Sequence, residues 1–244
     1  MIETLSCVQN FISTDLDQHA QLQGPWQLQY EQLSDGVFEG KIQQVVLEDI
    51  ILFREDTNLS LRQKGQLHAD SFGFAIALEN KGSVFFNGRV VPDDSIMCGK
   101  GDQIDMVTPA MFTLLAIVVD KQLLSALWEN LYQKPLALWL DKQLVLPTRP
   151  MLANSLRQQH LATIQIANSV HIGQEHTLKQ LRDEILIEWI ESIPPQVDTN
   201  DYETLNKRKQ LVDKACELML SRPDEPPTIL EICSHLSVSR RKLN

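Results

Sequence analysis

The hydrophobic pattern changes period once, at Asp120, and that change limits the chain to a β-rich unit followed by a helical one. Ahead of it, residues 26–119 run as short apolar or alternating stretches: Trp26–Gln32, Lys41–Leu47, Ile50–Arg54, Ser71–Leu78, Val84–Phe86, Ile96–Cys98 and Phe112–Val119. Turn formers separate them, including Ser34-Asp35-Gly36, Glu48-Asp49, Asn80-Lys81-Gly82, Asn87-Gly88 and Gly99-Lys100-Gly101-Asp102. Short strands at such close spacing predict a sandwich or a barrel. In Ser71–Leu78 the bulky Phe72, Phe74, Ile76 and Leu78 alternate with Ser71, Gly73, Ala75 and Ala77. The large face suits a core, and the small face suits either a close neighbour or a pocket wall.

After Asp120 the spacing is helical. Asp120 is placed to cap a helix over Lys121–Tyr132, and two longer helices follow at Met151–Asn168 and Glu175–Glu191, with Gly173 between them. Leu178, Leu181, Ile185 and Trp189, flanked by Leu186 and Ile190, form a wide apolar stripe that must be covered. Packing on the β-rich unit and a dimer seam are the two ways to cover it. Our reading uses both, one face inward and one across a two-fold axis.

Pro194 to Asp201 holds two prolines, several turn formers and no apolar period, which reads as a linker with few contacts across it. The expected organisation is therefore residues 1–192 as one unit (β-rich 26–119, helical 120–192), 193–201 as linker and 202–244 as a second, partial domain.

That last segment carries the sharpest motif. Thr228 and Glu231 make an S/T-x-x-E capping box, and Ile229, Ile232, Cys233 and Leu236 share a helical face. Ser237-Val238-Ser239 breaks the helix, Ser239 can cap a second, and Arg240-Arg241-Lys242 opens it. Two helices joined by a three- or four-residue turn, with cations on the first turn of the second, can place a recognition helix in the DNA major groove.

On these residues, about Tyr202 to Asn244 resembles the first part of the DNA-binding domain of AraC/XylS transcriptional regulators. Two positions depart from the family pattern: Cys233 stands where Ala is usual, and Ser237 where Gly is usual. The resemblance implies two helix-turn-helix units, of which the first is cut within its recognition helix and the second is absent here, so the expectation is a regulator missing most of its DNA-binding domain. It further implies a cupin-like sensor ahead of the helical pair. The fold class expected is thus α+β: an N-terminal β-barrel/cupin-like sensor, a helical dimerisation hairpin, a linker and the start of an all-α helix-turn-helix domain. More narrowly, Trp26 to Gly40, "WQLQYEQLSDGVFEG", is similar to the sensor opening of ethanolamine-operon and quorum-linked regulators.

Charge fits this division. The net charge of -10 argues against nucleic acid, yet residues 203–244 hold 8 basic and 6 acidic side chains, so the basic excess sits with the motif. Cys7, Cys98, Cys216 and Cys233 form no C-x-x-C pair and no signal peptide is legible, which predicts a reduced, cytoplasmic protein. The longest apolar run, Met111–Val119, is too short to span a bilayer.

Catalytic chemistry has no legible residues. Among His19, His68, His160, His171, His176 and His235 there is no H-x-H pair, and His171 and His176 are five residues apart with Gly173 between, the wrong spacing for one metal. No nucleophile elbow or phosphate loop is present, and no cofactor or metal is expected. The expected function is a regulator that binds promoter DNA as a homodimer, with Ser239, Arg240, Arg241 and Lys242 clamping phosphates or reaching guanine edges. Pocket candidates for a small-molecule effector are Trp26, Tyr30, Phe53, Arg54, Phe72, Phe74, Phe85 and Phe86, and dimer candidates are Leu178, Leu181, Ile185 and Trp189. The alternative is a dimerising or small-molecule-binding cupin-like protein that binds no DNA.

Overall fold

Tight turns between strands force antiparallel pairing, because a connection of two to five residues can only fold a strand back on its predecessor. The computed structural model describes residues 8–23, 27–79, 82–99, 103–133, 135–136, 140, 145–169, 175–193 and 205–243. Its strands are β1 (Val8–Ser13), β2 (Gln27–Gln32), β3 (Gly40–Leu47), β4 (Ile50–Thr57), β5 (Leu61–Gln66), β6 (Ser71–Ala77), β7 (Val84–Phe86), β8 (Arg89–Val91), β9 (Ser95–Gly99), β10 (Gln103–Thr108), β11 (Phe112–Asp120) and β12 (Val145–Pro147). They form a seven-stranded sheet, β1-β3-β4-β11-β6-β9-β12, and a five-stranded sheet, β2-β5-β10-β7-β8. The β3–β4 hairpin shows the local cause: Leu47 faces Ile50 across Glu48-Asp49, and Glu48 takes the positive φ of 49° that so short a turn requires.

The helices are α1 (Leu16–Gln21), α2 (Lys121–Tyr132), α3 (Pro150–Ser169), α4 (Glu175–Ser192), α5 (Leu205–Leu220), α6 (Ile229–Leu236) and α7 (Arg240–Leu243). Asp120 caps α2 as expected, its carboxylate accepting from the amides of Gln122 and Leu123 at 2.9 Å.

Alternation on the large sheet explains the three layers. Phe72, Phe74 and Ile76 of β6, with Leu115 and Ile117 of β11, lie in the core shared with α2, α3 and α4. Ala75, Ala116, Leu114 and Phe53 point the other way, into the core between the two sheets with Phe86 and Met106. The bulky face of β6 therefore fills a core, and its small face lets the second sheet approach.

Three expectations change. The strands do not close into a barrel: each sheet ends in edge strands, β1 and β12 or β2 and β8, giving a double-sheet sandwich. Leu181, Ile185 and Trp189 do not form an open dimer face, since all three are buried in this chain's own core and Leu178 is packed against it. The second face of α4 is covered by α6, whose Leu230 and Cys233 belong to the same apolar cluster, so contacts across the 193–201 stretch are extensive. Ile193 is itself buried, and 194–201 lies outside the described residues.

Candidate nucleic-acid interface

The basic end is built by two caps and one unusual backbone position. Thr228 is extended (φ -69°, ψ 163°), its hydroxyl accepts from the Glu231 amide at 3.2 Å, and the Glu231 carboxylate accepts from the Thr228 amide at 2.9 Å. At the other end Ser237 is left-handed (φ 52°, ψ 48°), and the Val238 amide returns to the Cys233 carbonyl at 3.0 Å. The chain then re-enters a helix, with the Ser239 carbonyl accepting from Lys242 and Leu243 at 3.0 and 3.1 Å. Cys233 lies beneath this turn. Burial, then the Glu191 charge, pushes its thiol up to about 12, so it is a packing residue rather than a nucleophile.

The arginines of α7 lie against α4. Arg240 pairs with Glu188, and its Nε stands 3.4 Å from Glu191 Oε2. Arg241 donates its amide to Glu191 Oε1 at 3.1 Å and its Nη2 to the Glu191 carbonyl at 3.2 Å. Both carboxylates are buried, with side chains 6% and 7% exposed. Burial alone would lower the Arg240 pKa, but the adjacent Glu188 and Glu191 outweigh it and raise it. Two further bonds tie α6 to α4: Thr228 donates to Asp183 Oδ2 at 2.5 Å, and Lys179 Nζ lies 2.7 Å from Glu231 Oε1. A cleft of about 320 Å³ opens beside this seam, lined by Leu123, Leu127, Leu186 and Leu230 with Arg182, Arg222 and His235.

The proposed pocket residues are dispersed. Phe72 and Phe74 face the helices, Phe53 of the large sheet and Phe86 of the second sheet meet in the core between the two sheets, and Phe85 is exposed. Arg54 forms a two-point pair with Asp56 at 2.9 and 3.1 Å. Trp26 lies outside the described residues, as do His171 and Gly173. Among the described candidates Tyr30 reaches a buried polar cluster, in company the sequence reading missed. Glu55 Oε1 accepts from the Tyr30 hydroxyl at 2.6 Å, the Gln23 amide at 3.0 Å and His19 Nε2 at 2.9 Å, while Oε2 accepts from Gln63 at 3.2 Å. Ser13 holds the other His19 nitrogen at 2.7 Å. Burial, then the charge of Glu55, raises the Tyr30 phenol well above its usual value, so it remains a donor. The available signal was Asp15, the N-cap that sets α1 and aims His19 inward. Among the described residues no group of three metal-ligating side chains converges, and no helix is long and apolar enough to cross a membrane.

The fold thus mixes helix and sheet, a double sheet backed by helices. The chain is similar to the AraC-like transcriptional activator CuxR, with 14% identity over 96% of this chain and 87% of that one and a TM-score of 0.52, a likeness of fold. A predicted oxalate decarboxylase from Thermotoga maritima aligns at 15% identity over 37% of this chain and 91% of that one, with a TM-score of 0.23. A Streptomyces protein solved with uridine aligns at 11% identity over 37% and 75%, with a TM-score of 0.28. No protein-family model matches.

Proposed function

We propose that the chain is a sequence-specific DNA-binding transcriptional regulator, in which residues 1–192 sense an effector and dimerise and residues 202–244 contribute to DNA reading. The observation that carries this is the α6–turn–α7 unit: a fully capped helix, a three-residue turn with left-handed Ser237, and Arg240-Arg241-Lys242 opening the next helix. The fold likeness to an AraC-like activator along nearly the whole chain supports it. Ser239, Arg240, Arg241 and Lys242 are the DNA contacts in this reading, and dimerisation uses surfaces other than the buried stripe of α4.

The test is selection of bound duplexes from a random pool by the protein purified from its own cells, followed by affinity measurement for the selected sequence. Arg240→Ala and Arg241→Ala are each expected to weaken that binding by more than about 1 kcal/mol. Unchanged affinity in both would remove them from the interface, and a pool with no enriched sequence would overturn the reading.

A further inference from the structure

The two arginines proposed to meet DNA are already engaged by a pair of carboxylates that present the same chemistry as backbone phosphates. Glu188 and Glu191 sit one turn apart on α4, both buried, and between them they take the side chains of Arg240 and Arg241 and the Arg241 amide. A guanidinium carries five N–H donors in a fixed plane, and the edge of Arg240 formed by Nε and Nη2 is turned to these carboxylates, so a phosphate or a guanine edge must displace them to be gripped by that same edge. We infer that α4 is an intramolecular competitor of DNA, a clasp that holds the reading helix closed on the N-terminal unit. This rests on the proposed role of the arginines in DNA binding.

Physical terms favour a two-state device over an incidental surface pair. Removing the arginines while α6 stays in place would leave two carboxylates buried and unpaired, a penalty that an exposed surface pair does not carry. Leu230 and Cys233 seal the same seam, and Thr228–Asp183 and Lys179–Glu231 close its far end. The arginines therefore leave at least cost when α6 and α7 lift away together and water reaches Glu188 and Glu191. DNA gains contacts only in the lifted state, so it shifts the equilibrium by the difference in its affinity for the two states. Whatever loosens α4 from α6 raises DNA affinity without touching the reader.

The experiment compares wild type, Glu188→Gln/Glu191→Gln, Arg240→Ala/Arg241→Ala and the four-fold combination in binding a labelled duplex of random sequence across a salt series. Opening the clasp is expected to tighten binding about tenfold and to steepen the log–log salt slope by about 2, one phosphate contact per released arginine. In the four-fold variant both gains vanish. If the glutamine pair changes neither affinity nor slope while the alanine pair weakens binding, the clasp is wrong and the DNA-contact reading stands. If the alanine pair changes nothing in either background, that reading itself fails. Should the glutamine pair not fold, Glu188→Gln alone, which leaves Glu191 to hold Arg241, is expected to give about a threefold gain, and no gain there would overturn the clasp.

Discussion

At the scale of single residues, the least legible part of the sequence is the cluster around Glu55. His19 and Glu55 are far apart in the chain and meet only because β3 and β4 place Glu55 opposite α1, information that no local spacing holds. Gly40 shows how tightly the histidine is seated: a Cβ there would lie 2.5 Å from His19 Cε1 and 2.6 Å from Phe38 Cζ. Gly40→Ala is expected to cost about 1–3 kcal/mol by overpacking, read as a lower urea midpoint at unchanged slope. His160 offers a second residue-level test. Its Nε2 donates to the Phe53 carbonyl at 2.9 Å, and burial lowers its pKa to about 4. The unfolded chain protonates near 6.5, so between pH 6.5 and 4 the unfolded state binds the extra proton and stability falls as pH falls, by about 3 kcal/mol across the window. Denaturation at stepped pH should show that slope in wild type and a flatter one in His160→Gln.

At the scale of elements, the capped helices after Asp120 and the longer apolar strands are legible in the sequence, while the short helix α1 and the strands β1, β5, β8, β10 and β12 are not. Asp120, Thr228 and Glu231 announce their helices because a cap is a local interaction between residues two or three apart. β5, Leu61–Gln66, was missed because only its Leu61 is a large apolar residue; pairing with β2 and β10 makes it a strand. The α6–α7 turn gives two predictions of opposite sign. Thr228→Ala removes a cap and a donor to buried Asp183, and is expected to destabilise by about 2 kcal/mol. Ser237→Gly frees a left-handed position from its Cβ and is expected to stabilise by about 1 kcal/mol. Thermal unfolding of the two variants should therefore move in opposite directions.

At the scale of the molecule, the strands described ahead of Asp120 and the helices described after it follow the change of period there, with α1 and β12 as the exceptions. The fate of the second face of α4 was hidden. An apolar stripe broad enough for two partners does not say whether the second is another copy or a later helix of the same chain, and here α6 takes that place. The acidic residues within the stripe, Asp183, Glu188 and Glu191, were the missed signal: each is buried, and each is met by a hydroxyl or a cation.

The most direct test of the regulator reading is to crosslink the protein to DNA in its own cells and recover what is bound. The account predicts recovery concentrated at a small set of promoter sites sharing one sequence, and lost when Arg240 and Arg241 are both changed to Ala. Recovery spread evenly over the genome, or equal with and without the two arginines, would contradict it.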